Sequence, residues 1–131
     1  MKNFLLSFLI VIAIFLVACE EDDVKPFEGT WSGTYTGGDS GSWQMVVIYE
    51  NGESYGTING TTNSYNGGST GIFGSVDSYG TITGAFVDET ITTIGGTVWN
   101  GKFELNDAAG TWEGKDPNGS SVEGTWTGKK N

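Results

Sequence analysis

From Phe27 onward, bulky apolar and small or polar residues alternate in short runs, and Gly, Asn or Asp breaks each run. Alternate side chains of an extended strand share a face, so this pattern predicts half-buried β-strands. One pentapeptide sets the pattern: Gly29-Thr30-Trp31-Ser32-Gly33, Gly110-Thr111-Trp112-Glu113-Gly114 and Gly124-Thr125-Trp126-Thr127-Gly128. Each copy puts Gly, Trp and Gly on one face and Thr with a second polar residue on the other. A large ring flanked by residues without side chains suits a crowded interior, and Thr suits a solvated face. Ile replaces Trp in two further copies, Gly56-Thr57-Ile58-Asn59-Gly60 and Gly80-Thr81-Ile82-Thr83-Gly84. The copies are irregularly spaced, which fits a recurring strand solution and not a solenoid.

Turn signals divide these runs. Asn51-Gly52, Asn66-Gly67-Gly68, Asn100-Gly101 and Asp116-Pro117-Asn118-Gly119 are the clearest; Gly37-Gly38-Asp39 and Asp77-Ser78-Tyr79-Gly80 are weaker. They predict eight strands at 28–36, 42–50, 54–62, 69–77, 80–88, 91–99, 102–114 (broken near Asn106-Asp107) and 121–129. The predicted inner face includes Trp31, Tyr35, Ile58, Ile82, Phe86, Trp112, Val122 and Trp126. Met45-Val46-Val47-Ile48 is apolar on both faces, so the second strand is expected to be covered on its outer side or tightly packed. The expected fold is all-β: one small antiparallel meander over residues 27–131, closed as an eight-stranded up-and-down barrel whose first and last strands meet.

Residues 1–18 read differently. Lys2 precedes an apolar run from Phe4 to Val17, interrupted only by Ser7. It is short for a membrane span, which needs about 20 residues, and suits the helical core of a cleaved signal peptide. The run ends in Leu16-Val17-Ala18-Cys19, which resembles the lipobox of bacterial lipoproteins. That resemblance implies cleavage before Cys19, diacylglycerol on its thiol and acylation, for example by palmitate, of the new amino group. Cys19 is the single cysteine, so no intramolecular disulfide can form. Glu20-Glu21-Asp22-Asp23 follows at once and resembles the acidic signal that sends some Gram-negative lipoproteins to the outer face of the outer membrane. Residues 19–26 are thus an expected lipidated tether, with the bilayer as partner and a cell-surface location.

Composition narrows the chemistry. The 131 residues carry a net charge of −10, with neither Arg nor His. That excludes a basic footprint for nucleic acid and removes the usual general base, metal ligand and carboxylate clamp. The 22 glycines all follow the leader, and Leu105 is the one leucine after it, which disfavours helices. Gly29-Thr30-Trp31 on the first of eight strands resembles the Gly-x-Trp of lipocalins and avidin-like barrels, although the Arg that lipocalins set against that Trp is missing here.

Candidate chemistry is sparse. Glu104, Asp107 and Glu113 are the nearest acids to a carboxylate pair, and Asp116-x-Asn118-x-Ser120 with Glu123 is better read as a turn than as a calcium loop. No catalytic residue, metal ligand or cofactor is assigned. The aromatic residues Trp43, Trp99, Tyr55, Tyr65 and Tyr79 fall near strand ends or Gly-rich loops, where partly exposed rings beside Asn, Asp and Thr could stack on sugars. The expected function is a non-catalytic, lipid-anchored binding module for a small apolar ligand or a glycan. The alternative is a filled barrel that serves as a structural or accessory interaction lipoprotein with an envelope protein partner.

Overall fold

A computed structural model describes residues 25–87, 97–116 and 118–131, with side chains described outside 83–87. The proposed leader 1–18, Cys19, the acids Glu20–Asp23 and the Phe86 side chain lie outside that description. So does most of the strand expected at 91–99. The described chain is all-β, and among the described residues no helix is long and apolar enough to cross a membrane.

Among the described residues eight strands follow one another: β1 (Gly29–Gly37), β2 (Gly41–Ile48), β3 (Gly56–Ser64), β4 (Ser69–Val76), β5 (Ile82–Val87), β6 (Val98–Phe103), β7 (Asp107–Lys115) and β8 (Ser121–Lys130). Each pairs antiparallel with the next, giving a curled meander, and β1 also pairs with β8 in the register Gly33↔Gly128, Tyr35↔Trp126 and Gly37↔Gly124. The first five strands and the eighth match their expected runs within a few residues. β7 begins at Asp107 and not at 102, and β6 runs to Phe103, past the end expected at 99, most of the expected 91–99 lying outside the described residues. Asn100-Gly101, expected to turn, lies within β6, where Gly101 faces Gly110 of β7. The reversal falls at Glu104–Asn106, where the Glu104 N–H donates to the Asp107 carbonyl at 2.7 Å. An Asn-Gly pair is compatible with a strand when the glycine face must approach a neighbour closely.

Close approach explains the glycines. Gly33–Gly128, Gly37–Gly124 and Gly101–Gly110 are cross-strand pairs, and a Cβ added to Gly33, Gly37 or Gly110 would stand 2.5–2.6 Å from its partner's Cα. A tryptophan beside each pair uses the space. Trp43 of β2 reaches past Gly33 to Gly128, so that a Cβ on Gly128 would collide with its ring. Trp112 of β7 lies at Gly124, and Trp126 of β8 lies past Gly110 at Gly101. Their indole N–H groups end on strand carbonyls: Trp43 on Thr34 (3.3 Å), Trp112 on Thr36 (3.1 Å), Trp126 on Asn100 (3.1 Å) and Thr111 (3.2 Å). A buried indole donor left unpartnered costs about 1–3 kcal/mol, so these bonds let large polar-tipped rings sit inside.

The interior is therefore ringed and dense. Trp31, Tyr35, Trp43, Trp99, Phe103, Trp112 and Trp126 are all buried with Met45, Val47, Ile58, Ile72, Val76 and Ile82. Of the expected inner face, Trp31, Tyr35, Ile58, Ile82, Trp112 and Trp126 are buried, and Val122 is partly buried against the cluster. The outer face of β2 corrects its expectation: Val46 and Ile48 are exposed, as is Phe73 on β4. Their alternation with buried Met45 and Val47 is ordinary strand geometry, so the apolar outer row is surface.

The up-and-down order sorts the loops into two ends. At one, here the entry end, the chain arrives and residues 49–55, 77–81 and 104–106 turn. Phe27 plugs this end against Phe103 (centroids 6.4 Å apart), and its carbonyl accepts from Trp31 Nε1 at 2.9 Å. At the opposite, distal end lie the loops 38–40, 65–68 and 116–120.

Candidate functional site

The five aromatic residues that the sequence offered for a site separate into three places. Trp43 and Trp99 are each only 2% exposed. They belong to the core, which corrects the expectation of partial exposure. Trp43 packs edge-on against Trp126 (5.6 Å, 90°) and Trp99 (6.3 Å, 80°), and Trp99 lies 5.4 Å from Trp126. Tyr35 continues this stack to Trp99 and Trp112, while Phe103 continues it to Trp31 at 4.7 Å. These separations are those of packed aromatic pairs. The rings fill the interior that the strands enclose. Position near a strand end misled the sequence reading; the alternation that puts Trp43 in phase with Met45 and Val47 points inward.

Tyr65 is 70% exposed at the distal end. There Asp39 ties three segments together: Tyr35 Oη donates to Asp39 Oδ2 at 3.1 Å, and Ser64 Oγ and Asn66 Nδ2 donate to Asp39 Oδ1 at 2.9 and 3.3 Å. The Tyr65 N–H donates to the Ser40 carbonyl at 2.9 Å, binding the same two loops. Burial of the phenol, then the Asp39 charge and hydrogen bond, push the Tyr35 hydroxyl up to about 12. Every Asp39 contact here is internal to the fold, so the cluster reads as a staple between loops 38–40 and 65–68.

Tyr55 and Tyr79, 46% and 80% exposed, stand at the entry end. Between their loops lies a cleft of about 460 Å³. Lys25 and Pro26 of the entering chain line it together with the 49–55 loop, Tyr49, Glu50, Glu53 and Ser54 among its residues, and with Ser78 of the 77–81 loop. Tyr55 and Tyr79 follow the lining residues Ser54 and Ser78 in the chain but are not themselves among the residues that line the cleft. Two turns shape it. Asn51-Gly52 turns with Gly52 at φ 84°, and the Glu53 N–H donates to the Glu50 carbonyl at 3.2 Å, bringing the two glutamates to one rim. In the second turn Asp77 Oδ1 accepts from the Tyr79 and Thr81 N–H groups at 2.9 Å each, and Gly80 takes the positive φ of 88° that closes it.

One atom at the cleft lacks a partner. Tyr49 is 7% exposed, and its hydroxyl is sealed from solvent without a hydrogen bond. Burial, followed by the Asp77 and Glu28 charges, raises its pKa, so the phenol holds its proton. A buried donor without an acceptor is rare in folded proteins and marks a place to look for a ligand. The only cleft cation among the described residues is Lys25, which lies 3.9 Å from Glu28 on the surface.

Tyr49, Glu50, Glu53 and Asp39 were missed from sequence. The Glu-Asn-Gly-Glu turn was a usable signal for the first three, since a tight reversal places its flanking acids together. Of the acids that sequence did offer, Glu104 and Asp107 flank the 104–106 turn, where the Glu104 N–H donates to the Asp107 carbonyl, and Glu113 stands apart from them. Asp107 and Glu113 stand six positions apart on β7, about 20 Å, and Asp107 pairs with Lys129 at 3.6 Å. The two carboxyl groups of a glycosidase stand about 5–9.5 Å apart. Asp116 Oδ1 caps its own turn through the Asn118 and Ser120 N–H groups at 2.9 Å each. Among the described residues no group of three or more acids, Cys or His is arranged to hold a metal. No protein-family model matches the chain, and no curated protein matches it.

Proposed function

We propose that this protein is a lipid-anchored module of the bacterial outer membrane, facing the cell exterior, that binds a glycan without catalysis. Its body is a closed eight-stranded barrel with a filled interior, and its recognition surface is the entry-end cleft. The cleft carries the reading: serine hydroxyls, two carboxylates and Tyr49, whose buried phenol is unpartnered, line it, and the exposed Tyr55 and Tyr79 adjoin its lining residues in the chain. Rings stack on sugar faces while polar neighbours take the hydroxyls. The ring-filled core disfavours the small apolar ligand that a hollow barrel would hold.

A panel of neutral and amino-bearing oligosaccharides titrated into the purified lipoprotein in detergent micelles tests this. Binding that Tyr79→Ala lowers and Tyr65→Ala leaves alone is the expected result. Absence of binding across the panel would transfer support to the accessory-protein reading, which the exposed Val46, Ile48 and Phe73 favour.

A further inference from the structure

Charge is spread unevenly round the sheet. Strands β1 to β5 contain no charged residue, whereas β6, β7 and β8 each carry at least one. In a chain of net charge −10 that is an unusual stretch of neutral surface. The outer positions of β1 to β4 are mostly Thr, Ser, Asn and Gln, with Val46, Ile48 and Phe73 exposed among them. Val46 pairs with Asn59 and Asn59 with Phe73, so the apolar residues flank β3 in one cross-strand row. Large apolar side chains gathered on one exposed face mark an interaction surface. Depletion of charge is the compositional mark of an interface core.

We propose that this face pairs with the same face of a second copy of the chain. Two bodies that each carry −10 repel wherever their acids approach. The β1–β4 face is the contact that sets no charge against another. A twofold axis through β3 serves both copies at once: Asn59 meets its own counterpart, and the Val46 flank of each face meets the Phe73 flank of the other. Four strands of eight or nine residues, spaced about 4.8 Å apart with a rise of about 3.3 Å per residue, cover roughly 500 Å². A pair therefore hides about 1,000 Å², the lower bound for a specific interface. Such a contact is weak between free molecules and gains strength when both are held on one membrane, which raises their effective concentration. That gain rests on the lipid anchor proposed above; the place of the contact does not. The face lies on the side of the wrapped sheet, so the entry-end cleft stays free in the pair.

Thiol cross-linking of the full chain in membranes of the producing cells, with a short bismaleimide, reads the contact. Asn59→Cys, at the centre of the face, should give a species of twice the mass. Thr111→Cys, exposed on β7, should stay single. Adding Phe73→Glu to Asn59→Cys should cut the linked fraction roughly tenfold, because each copy then brings a carboxylate to the face. Phe73 is exposed, so that variant should keep the parent's circular dichroism. No doubled species from Asn59→Cys, or equal linking at Asn59 and Thr111, would overturn the pairing. An Asn59→Cys adduct of any other mass would overturn it too and assign the face to a different envelope protein. The parent chain keeps the two readings apart: linked through Cys19 itself, it would reveal a free thiol and overturn the lipidation, and the Asn59 comparison made with Cys19→Ala would still decide the pairing.

Discussion

A methyl group on residue 128 has nowhere to go. Gly128→Ala would drive a Cβ into the Trp43 ring and against the Ser32 carbonyl. Overpacking of a dense core costs about 1–3 kcal/mol, so the urea midpoint should fall while the slope of the transition stays constant. Tyr35 makes a second prediction at this scale. Burial first, and the Asp39 charge after it, push its folded hydroxyl up to about 12 from the ordinary 10.0 of a tyrosine. Between these values the unfolded chain has lost that proton and the native chain keeps it, so stability falls as pH rises through the window. Below pH 10 the group adds no pH dependence. Thermal melts should show a decline that Tyr35→Phe reduces; the part left belongs to other groups, Tyr49 among them.

At the scale of elements, two hairpins share one device. In Asp77–Thr81 and Asp116–Ser120 the aspartate Oδ1 caps the second and fourth following N–H groups, and a positive-φ glycine is the third following residue. Asp116→Ala, well away from the cleft, should cost about 1–2 kcal/mol as caps do, and Asp116→Asn less, measured by the same urea transition. These turns were legible because Asp, Asn and Gly advertise local conformation. Asn100-Gly101 advertised a turn and is strand, because what decides there is Gly110 across the sheet. Likewise the glycines beside each Trp signalled a crowded interior correctly, but the ring they admit belongs to another strand. Gly128 neighbours Trp126 in sequence and accommodates Trp43 in space. Pairing partners cannot be read from local pattern alone, and the cleft, built from three separate segments, was invisible for the same reason.

At the scale of the molecule, the proposed anchor at Cys19 would share an end with the cleft, which Lys25 helps to line. Lys25 is six residues from Cys19, a reach of at most about 20 Å, so a lipidated Cys19 holds the entry end toward the bilayer. Cys19→Ala should move the protein from the membrane fraction to the soluble one, because several acyl chains anchor stably where none remains. Replacing Glu20 to Asp23 with Ala should reduce surface protease accessibility on intact cells. A fluorophore on Ser54→Cys should be quenched by lipid-borne quenchers more strongly than one on Asn66→Cys, since the two positions lie at opposite ends.

The aromatic stack has an optical consequence. Trp43, Trp99 and Trp126 lie within 5.4–6.3 Å of one another at fixed, mostly steep angles. Indoles held so close share their excited states, so the folded protein should carry a coupled circular-dichroism band that no single tryptophan produces. Substituting any one of the three by Phe should collapse the whole band and not a third of it. The core thus contains its own reporter of assembly, readable without a label.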